Sequence, residues 1–297
     1  MQHKMIIPDF NYHRPSTINE AVELLSNSND AVPVAGGTDL LVEIKMGLRQ
    51  HQAIVSLNAL NELKTIDESD GKLHIGSGVT HNMLIESSLI KEKYPALAEA
   101  AISIGTTQIR NRGTVGGNLC TAASCCDMGP ILIAMNASVH IISSTGERQL
   151  PLKEFFLHHK KTVLSKGEIL SGITMAIPSE NTGAVYIKFG LRESASISVA
   201  SVAVVLTQNS DNMISGNVAI GAVAPTPVIS KSANSVLDGV KREDLYEGSE
   251  ILRNAGEGSA TDSIPLDDIR GTAMYRKHLI KTLTQKAVLK ALERLPI

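Results

Sequence analysis

Two glycine pairs, each followed by a helix-like segment, constrain the fold of this 297-residue chain more than any other feature. Gly36-Gly37 ends the buried-strand pattern of residues 31–35 and precedes the apolar segment 40–44. Gly116-Gly117 lies in a glycine-dense stretch that ends at Asn118. Because glycine lacks a side chain, backbone N–H groups in such turns approach an anion closely, and a following helix adds partial positive charge. Each turn alone is ambiguous, since most strand–glycine–helix connections only make a tight turn.

The spacing around these glycines disfavours two common nucleotide-binding folds. Neither stretch is a GxGxxG fingerprint, which argues against a Rossmann dinucleotide domain. No Lys-Ser/Thr pair follows either stretch, which argues against a nucleotide triphosphatase. Two glycine turns on separate lobes instead favour one long ligand held from both sides. FAD has a pyrophosphate at its middle and meets that requirement, and the hydroxyl of Thr38 adds a donor for a phosphate oxygen.

Composition narrows the class of protein. A formal net charge of -2 gives no electrostatic drive towards nucleic acid or anionic lipid. A hydrophobic fraction of 43% suits a globular protein with buried cores. The first residues carry too short an apolar run for a signal peptide, and no later stretch has the length of a membrane span. We therefore expect a cytoplasmic protein with no nucleic-acid or membrane partner.

The cysteine count decides a chemical question. An iron–sulfur cluster normally takes four thiolates, whereas this chain has three cysteines. Two of them, Cys125 and Cys126, are adjacent, and two free thiols are expected there because a vicinal disulfide is strained. If the function needs a cluster, another polypeptide must supply it. Tryptophan is absent, so backbone and aliphatic groups are expected to hold any planar cofactor.

Hydrophobic periodicity and turn residues predict two small lobes and a C-terminal domain. The first lobe is predicted over residues 1–58 and the second over 59–178, with a boundary at Pro178. Residues 179–297 form the predicted C-terminal domain, an antiparallel sheet covered by helices. The predicted strands are 31–35, 53–57, 72–76, 139–142, 169–177, 185–191, 197–207 and 213–223, and the predicted helices are 16–25, 80–85, 94–104, 152–158, 232–237, 245–254 and 271–292.

Several motifs in order resemble one known family. Residues 108–119, Gln-Ile-Arg-Asn-Arg-Gly-Thr-Val-Gly-Gly-Asn-Leu, resemble the signature of the FAD-binding medium subunits of the xanthine dehydrogenase, or molybdenum hydroxylase, family. That family includes carbon monoxide dehydrogenase and nicotinate dehydrogenase. Residues 34–40, Val-Ala-Gly-Gly-Thr-Asp-Leu, resemble its first FAD loop, and residues 222–227 also agree. The resemblance spans essentially the whole chain and is more specific than either glycine pair.

The resemblance implies an α+β fold. A two-lobed FAD-binding domain of the vanillyl-alcohol-oxidase type is followed by an α+β C-terminal domain of antiparallel sheet and helices. It also implies that FAD is the cofactor of this chain. The molybdenum cofactor and the 2Fe-2S clusters are expected on partner subunits, and NAD(P)+ or another acceptor takes up the electrons.

The resemblance further implies which residues hold FAD. Two loops wrap the pyrophosphate and flavin, Ile104 packs on the cofactor, and Leu170 is an apolar contact near the flavin. Asp127 contacts the cofactor through an ionised carboxylate, and Lys188 is a cation near the ring that favours the anionic reduced flavin. No catalytic or metal-ligating residue is expected. The two loops comprise Val32, Pro33, Val34, Ala35, Gly36, Gly37, Thr38 and Asp39, and Thr114, Val115, Gly116, Gly117 and Asn118.

The chain departs from the family pattern at two places. Relatives usually carry Ser-Pro and a small residue before the aspartate, where this chain has Ser124-Cys125-Cys126 before Asp127. Relatives also often show Asp-Ile-Ala after an arginine, where this chain has Ser196-Ile197-Ser198 after Arg192. The first departure puts the local backbone in doubt, and the second puts in doubt an acidic contact at the domain junction.

Simpler structural interpretations exist for the same residues. Asp127 also suits a helix N-cap, and Lys188 alone suits a surface lysine on a strand. Arg110 and Arg112 suit either phosphate neutralisation or structural salt bridges. The run His-His-Lys-Lys at residues 158–161 suits a solvated basic turn better than a metal or anion site.

Three functions compete at this level. The first is an electron-transfer subunit, in which a molybdenum partner hydroxylates an N-heterocycle such as xanthine or nicotinate and clusters relay electrons to this FAD. The second is a self-sufficient FAD-dependent oxidoreductase with a substrate pocket in its C-terminal domain. It needs a catalytic acid/base cluster there, and Tyr275 and His278 are better explained by packing. The third is a scaffold that has lost its flavin, which the intact glycine turns disfavour.

Overall fold

A small parallel sheet forms the first lobe of the computed structural model, which describes residues 7–296. The strand order is β1-β3-β2, and both pairings are parallel. Helix α1 begins after Thr17, whose hydroxyl accepts from the amide of Glu20, and it buries Ala21, Val22 and Leu25 against the lobe. The elements of this lobe are β1 (Asn11–His13), α1 (Ile18–Asn27), β2 (Ala31–Val34), α2 (Leu40–Lys45) and β3 (Ala53–Ser56).

An antiparallel sheet of order β4-β5-β10-β6-β7 forms the second lobe. Its strands are β4 (Ile66–Ser69), β5 (Lys72–Gly76), β6 (Ser138–Ser143), β7 (Gly146–Pro151) and β10 (Ile169–Ala176), and a separate ribbon contains β8 (Phe156–His158) and β9 (Lys161–Thr162).

Short helices between β5 and β6 cover this sheet and share its core. Serine and threonine caps begin four of them, which is why the helices start where they do. Apolar side chains of α5, α8 and the sheet form the largest hydrophobic cluster. The helices are α3 (His81–Glu86), α4 (Ser88–Lys93), α5 (Pro95–Ile102), α6 (Thr107–Arg110), α7 (Val115–Thr121) and α8 (Met128–Ala134).

The C-terminal part is an antiparallel sheet, β11-β12-β13-β14, packed against helices. Strand β12 is apolar on both faces because it packs on the second lobe with one face and on α11 with the other. The elements are β11 (Thr182–Gly190), β12 (Ser198–Gln208), β13 (Met213–Gly221), β14 (Val228–Ile229), α9 (Lys231–Leu237), β15 (Val240–Lys241), α10 (Glu250–Asp262) and α11 (Ala273–Glu293). The predicted α+β fold class is thereby confirmed.

Two predicted elements are wrong in detail. The helix expected over 152–158 is a single 3-10 turn, Leu152–Glu154, followed by β8, because Phe155 and Phe156 are buried one after the other rather than at helical spacing. The helix expected over 245–254 begins only at Glu250, where the hydroxyl of Ser249 caps it, and it continues to Asp262. Within residues 7–296, no helix has both the length and the apolar character needed to cross a bilayer.

Candidate functional site

A cleft of about 670 Å³ opens between the two lobes and reaches the C-terminal sheet. Such a volume suits a small-molecule or cofactor site. Of the residues expected to hold FAD, most line this cleft and are brought together from distant parts of the chain: Val32, Pro33, Val34, Ala35, Gly36, Gly37, Thr38, Asp39, Ile104, Thr114, Gly117, Asn118 and Asp127.

The first glycine loop presents unpaired backbone donors to the cleft. No backbone carbonyl in residues 7–296 accepts a hydrogen bond from the amides of residues 35–39. The loop stays open because Gly37 adopts a left-handed conformation with a φ of 73°, which favours glycine. Consecutive free N–H groups form an anion-binding concavity, so this loop is suited to a pyrophosphate.

Gly36 also makes a contact between the lobes that the sequence does not predict. A Cβ atom at Gly36 would lie 2.0 Å from the carbonyl oxygen of Arg112 and 2.9 Å from the Cα of Gly113. The missing side chain therefore lets the first lobe touch the second. Gly36 sets the distance between the cleft walls, in addition to leaving its own amide open.

The second glycine stretch differs from the predicted open turn, because Gly116 and Gly117 lie in the first turn of α7. Its amides are already paired: Val115 donates to the carbonyl of Val79, and Gly116 to that of Ser77, both at 2.9 Å. The amide of Gly117 donates to the hydroxyl of its cap Thr114, also at 2.9 Å. This stretch therefore shapes the cleft wall, and the unpaired backbone donors belong to the first loop.

The two glycines of that pair have separate roles. A Cβ at Gly116 would lie 2.5 Å from the Cβ of Ser77, so Gly116 lets α7 pack on the turn after β5. Gly117 lines the cleft, and there a Cβ would meet only the Thr114 hydroxyl within 4 Å. Gly117 thus leaves space for a ligand, whereas Val115 and Gly116 are buried and do not line the cleft.

Asp127 is the acceptor of a buried network that joins the lobes to the C-terminal sheet. Its Oδ1 accepts from the Tyr186 hydroxyl at 2.7 Å and from the Ser198 hydroxyl. Its Oδ2 accepts from Lys188 Nζ at 2.8 Å, and Lys188 also donates to the carbonyl of Ser103. The side chains of Asp127 and Lys188 are 8% and 10% exposed, so solvent screens their ion pair weakly.

Two simpler interpretations are therefore wrong. Asp127 stands before α8, yet its side chain makes no cap hydrogen bond there. Lys188 is buried in an ion pair rather than exposed on the sheet. Burial, together with the neighbouring Asp127 charge, raises the pKa of Tyr186 well above its ordinary value, which keeps the phenol a hydrogen-bond donor.

Two further expected cofactor contacts, besides Val115 and Gly116, lie away from the cleft surface. Lys188 stands behind Asp127 and does not line the cleft. Leu170 is buried in the core of the second lobe on β10. A direct contact of either side chain with FAD stays a prediction. Ser198, at the second departure from the family pattern, supplies a hydroxyl to Asp127, and Ser196 and Ile197 line the cleft.

Arg110 and the basic run at 158–161 contact other parts of the protein. Arg110 donates through Nη1 to three carbonyls, those of Ile102, Ile104 and Gly105, and forms no ion pair in the described part of the chain. Ile104 is thereby held at the cleft wall. In the run at 158–161, His159 pairs with Ser124 and Lys160 pairs with Glu43 of the first lobe, so the run links parts of the fold.

Several cleft residues were not identified from the sequence. His81 is buried at the start of α3, residues 165–168 precede β10, and Ala195 adopts a left-handed conformation in the loop before β12. Only His81 carried a sequence signal, as a histidine directly after a Thr cap. The cysteines are free, and Cys125 and Cys126 line the cleft. No group of three or more metal-ligating side chains occurs among the residues described.

These features fit a dinucleotide. The free amides suit a pyrophosphate, both glycine stretches leave space at the cleft, and three parts of the chain line one continuous surface. Residues 8–179 match the family described as FAD binding domain in molybdopterin dehydrogenase. Residues 186–291 match the CO dehydrogenase flavoprotein C-terminal domain.

Individual relatives agree over nearly their whole length. The xanthine dehydrogenase FAD-binding subunit of Escherichia coli O157:H7 is 32% identical over 282 residues, covering 94% of this chain and 95% of that protein. The glyceraldehyde dehydrogenase medium chain of Sulfolobus acidocaldarius is 28% identical over 283 residues, covering 95% and 98%. A solved carbon monoxide dehydrogenase from Hydrogenophaga pseudoflava superposes with a TM-score of 0.92 at 30% identity, covering 98% of this chain and 100% of the matched chain.

The resemblance noted in the sequence is thus confirmed by the family matches, by the relatives and by the fold. The chain belongs to the FAD-binding medium subunits of the molybdenum hydroxylase family.

Proposed function

We propose that this chain passes electrons from the iron–sulfur clusters of a partner subunit, through its FAD, to NAD(P)+ or another acceptor. A molybdenum-containing partner performs the hydroxylation that supplies the electrons. The observation that carries the proposal is the loop of residues 35–39, whose unpaired amides face the cleft. An open anion site of this kind is expected of a subunit whose role is to hold a dinucleotide.

The residues of the chain bind and position the cofactor. FAD, when bound, supplies the exchange between two-electron and one-electron chemistry. The amides of 35–39 would hold its pyrophosphate, Gly117 would leave room for it, and Ile104 would pack on it. Asp127 would offer a carboxylate edge that Lys188, Tyr186 and Ser198 hold in place. Since the Lys188 charge is paired with Asp127, its effect on a reduced flavin would be smaller than that of a free cation.

An exposed apolar surface beside the cleft is evidence for a site that binds a partner protein. We define it as Leu191, Ile197, Ile264, Leu266, Ile269 and Met274, which are at least half exposed. Ile269 is 97% exposed, and Ile197 lines the cleft. The strand before Leu191 meets the start of α11 where the rings of Phe189 and Tyr275 pack edge to face. Clusters of exposed apolar side chains mark interaction sites. We propose that the iron–sulfur subunit docks here, where its clusters approach the flavin.

The substrate and the acceptor depend on other components. The names of the relatives include xanthine, glyceraldehyde and carbon monoxide, so the medium subunit accompanies partners of different selectivity. We propose an N-heterocycle such as xanthine or nicotinate as substrate of the complex, and a cytoplasmic complex. The molybdenum subunit, rather than this chain, would select the substrate.

The test is to purify the complex from its source through a tag on this chain. A flavin absorption spectrum, with molybdenum and iron in the same particle, is the expected result. Replacing Leu266 and Ile269 by Glu should release the iron–sulfur subunit while the flavin content stays unchanged. Leu157→Glu, at an apolar residue that is also exposed but outside this surface, is the matched control.

Two outcomes would contradict the proposal. A purified chain without flavin would argue against the FAD assignment. A chain that alone oxidises an organic substrate at the rate of the complex would favour the self-sufficient oxidoreductase. Mixing the complex with xanthine or nicotinate and NAD+ then identifies substrate and acceptor by the absorbance of the NADH that forms.

A further inference from the structure

His81 is a buried cleft residue with no assigned role. Its side chain lines the cleft, and the residue is 2% exposed. Its backbone amide donates to the carbonyl of Gly113 at 3.1 Å, and its ring lies against Gly113. His81 Nδ1 is fully buried and has no hydrogen-bond partner among the residues described.

The surroundings fix the charge and the tautomer of this ring. Burial, together with the nearby Arg110 cation, lowers the pKa of His81 to about 4, so the imidazole is neutral at neutral pH. A neutral imidazole carries one N–H and one lone pair. A buried N–H without an acceptor is less tolerable than a buried lone pair without a donor. The proton therefore resides on Nε2, which, unlike Nδ1, is not completely buried.

The Nε2 donor and the free amides lie next to the same residue. A Cβ at Gly113 would be 3.5 Å from His81 Nε2, and a Cβ at Gly36 would be 2.9 Å from the Cα of Gly113. The first glycine loop and the imidazole therefore converge at Gly113 from different lobes. Arg110, whose charge has no carboxylate partner in the described part of the chain, makes this region electropositive.

An unpaired donor and an unneutralised cation call for an anionic acceptor. No carboxylate of the described residues reaches the His81 ring. The ligand group that matches the donors on both lobes is a phosphate diester of a dinucleotide, since its oxygens accept from amides and from an imidazole N–H. The edge of an oxidised flavin ring offers acceptors too, but it is uncharged and gains nothing from Arg110.

We propose that His81 is a binding residue for the FAD pyrophosphate, to which Nε2 donates a hydrogen bond from the second lobe. The inference rests on the proposed FAD function. It gives the second lobe a donor besides the Asn118 side chain, because the backbone amides of Val115, Gly116 and Gly117 are already paired. The pyrophosphate is then held by donors from both lobes.

The test measures FAD affinity of the refolded or FAD-stripped full chain by flavin fluorescence quenching. His81→Leu removes the donor and should weaken FAD binding roughly 10- to 100-fold, the effect of losing a hydrogen bond to a charged group. His81→Gln places an amide N–H where Nε2 lies and, near neutral pH, should stay within about threefold of the parent chain. His81→Asn places its N–H where Nδ1 lies and should behave like His81→Leu.

A second readout separates binding from structure. A pyrophosphate beside His81 raises its pKa in the complex, so FAD binding takes up a proton as the pH falls. FAD affinity of the parent chain should therefore increase several-fold relative to His81→Gln between about pH 7 and 5. Equal affinity of His81→Leu and the parent chain, or rescue by Asn rather than Gln, would overturn the inference. Failure of the parent chain itself to bind FAD would instead refute the proposed function.

Discussion

Removing the negative charge of Asp127 tests the buried network between the lobes and the C-terminal sheet. In Asp127→Asn, an amide oxygen still accepts from Tyr186 and Ser198, but Lys188 keeps only the Ser103 carbonyl as a partner. A buried cation that loses its counterion costs about 3–5 kcal/mol. We expect the free energy of unfolding to fall by this amount, since both side chains are at most 10% exposed.

The double variant Asp127→Asn/Lys188→Met isolates the charge effect. Without the cation no uncompensated charge is buried, so the double variant should recover most of the lost free energy of unfolding. The coupling energy between the two substitutions should be about 2 kcal/mol or more. Urea unfolding of the FAD-free chain, followed by far-UV circular dichroism, is the assay, because the chain has no tryptophan. A parallel FAD titration tests the predicted cofactor contact of Asp127.

The matched control is an exposed pair. Lys241 and Glu243 lie 3.8 Å apart with side chains 63% and 77% exposed, and Glu243→Gln should change stability by less than about 1 kcal/mol. The reasoning is refuted if Asp127→Asn costs no more than this control. It is equally refuted if the effects of Asp127→Asn and Lys188→Met simply add.

Three further predictions concern the cleft. Gly36→Ala should lower both thermal stability and FAD retention, because its Cβ would meet the Arg112 carbonyl; full flavin content would count against this lobe contact. Gly117→Val should keep the melting temperature of the FAD-free chain within a few degrees and weaken FAD binding, since its side chain enters the cleft; a variant with parental affinity would remove Gly117 from the site. The folded-state pKa of His81 lies below its ordinary value. The neutral ring's contribution to the free energy of unfolding is therefore present above about pH 6.5 and is lost as the pH falls through about 4. The FAD-free parent chain should thus lose about 3 kcal/mol more than His81→Gln over this range in urea unfolding, and parallel pH profiles would refute the buried neutral ring.

Local signals were sufficient for much of the fold. The strand over 31–35, the helix after the Thr17 cap and the three long C-terminal strands have clear periodicity, and the structure contains them. The prediction of a helix over 152–158 is wrong because two buried phenylalanines in succession follow neither helical nor strand periodicity. Strand β1 has a partly exposed pattern and was missed, since it forms through pairing with β3.

The site was only partly predictable for a related reason. The sequence predicts the glycines of the first loop, but it does not show that Gly36 touches Arg112, which lies 76 positions later in the chain. Likewise, the pairing of the α7 amides with Val79 and Ser77 depends on tertiary packing. The partners of Asp127 lie on β11 and β12, so only the folded chain shows that a suspected helix cap is an ion-pair acceptor.

The Asp127 network also has a consequence for the order of assembly during synthesis. Asp127 emerges from the ribosome well before Tyr186, Lys188 and Ser198, so its carboxylate has no buried partners until β11 and β12 have been made. Until then, the cleft between the lobes lacks the side chains that donate hydrogen bonds to Asp127. Cofactor capture would thus be delayed until the C-terminal sheet has folded, and nascent chains cut short before that point would not mature into a cofactor-loaded subunit.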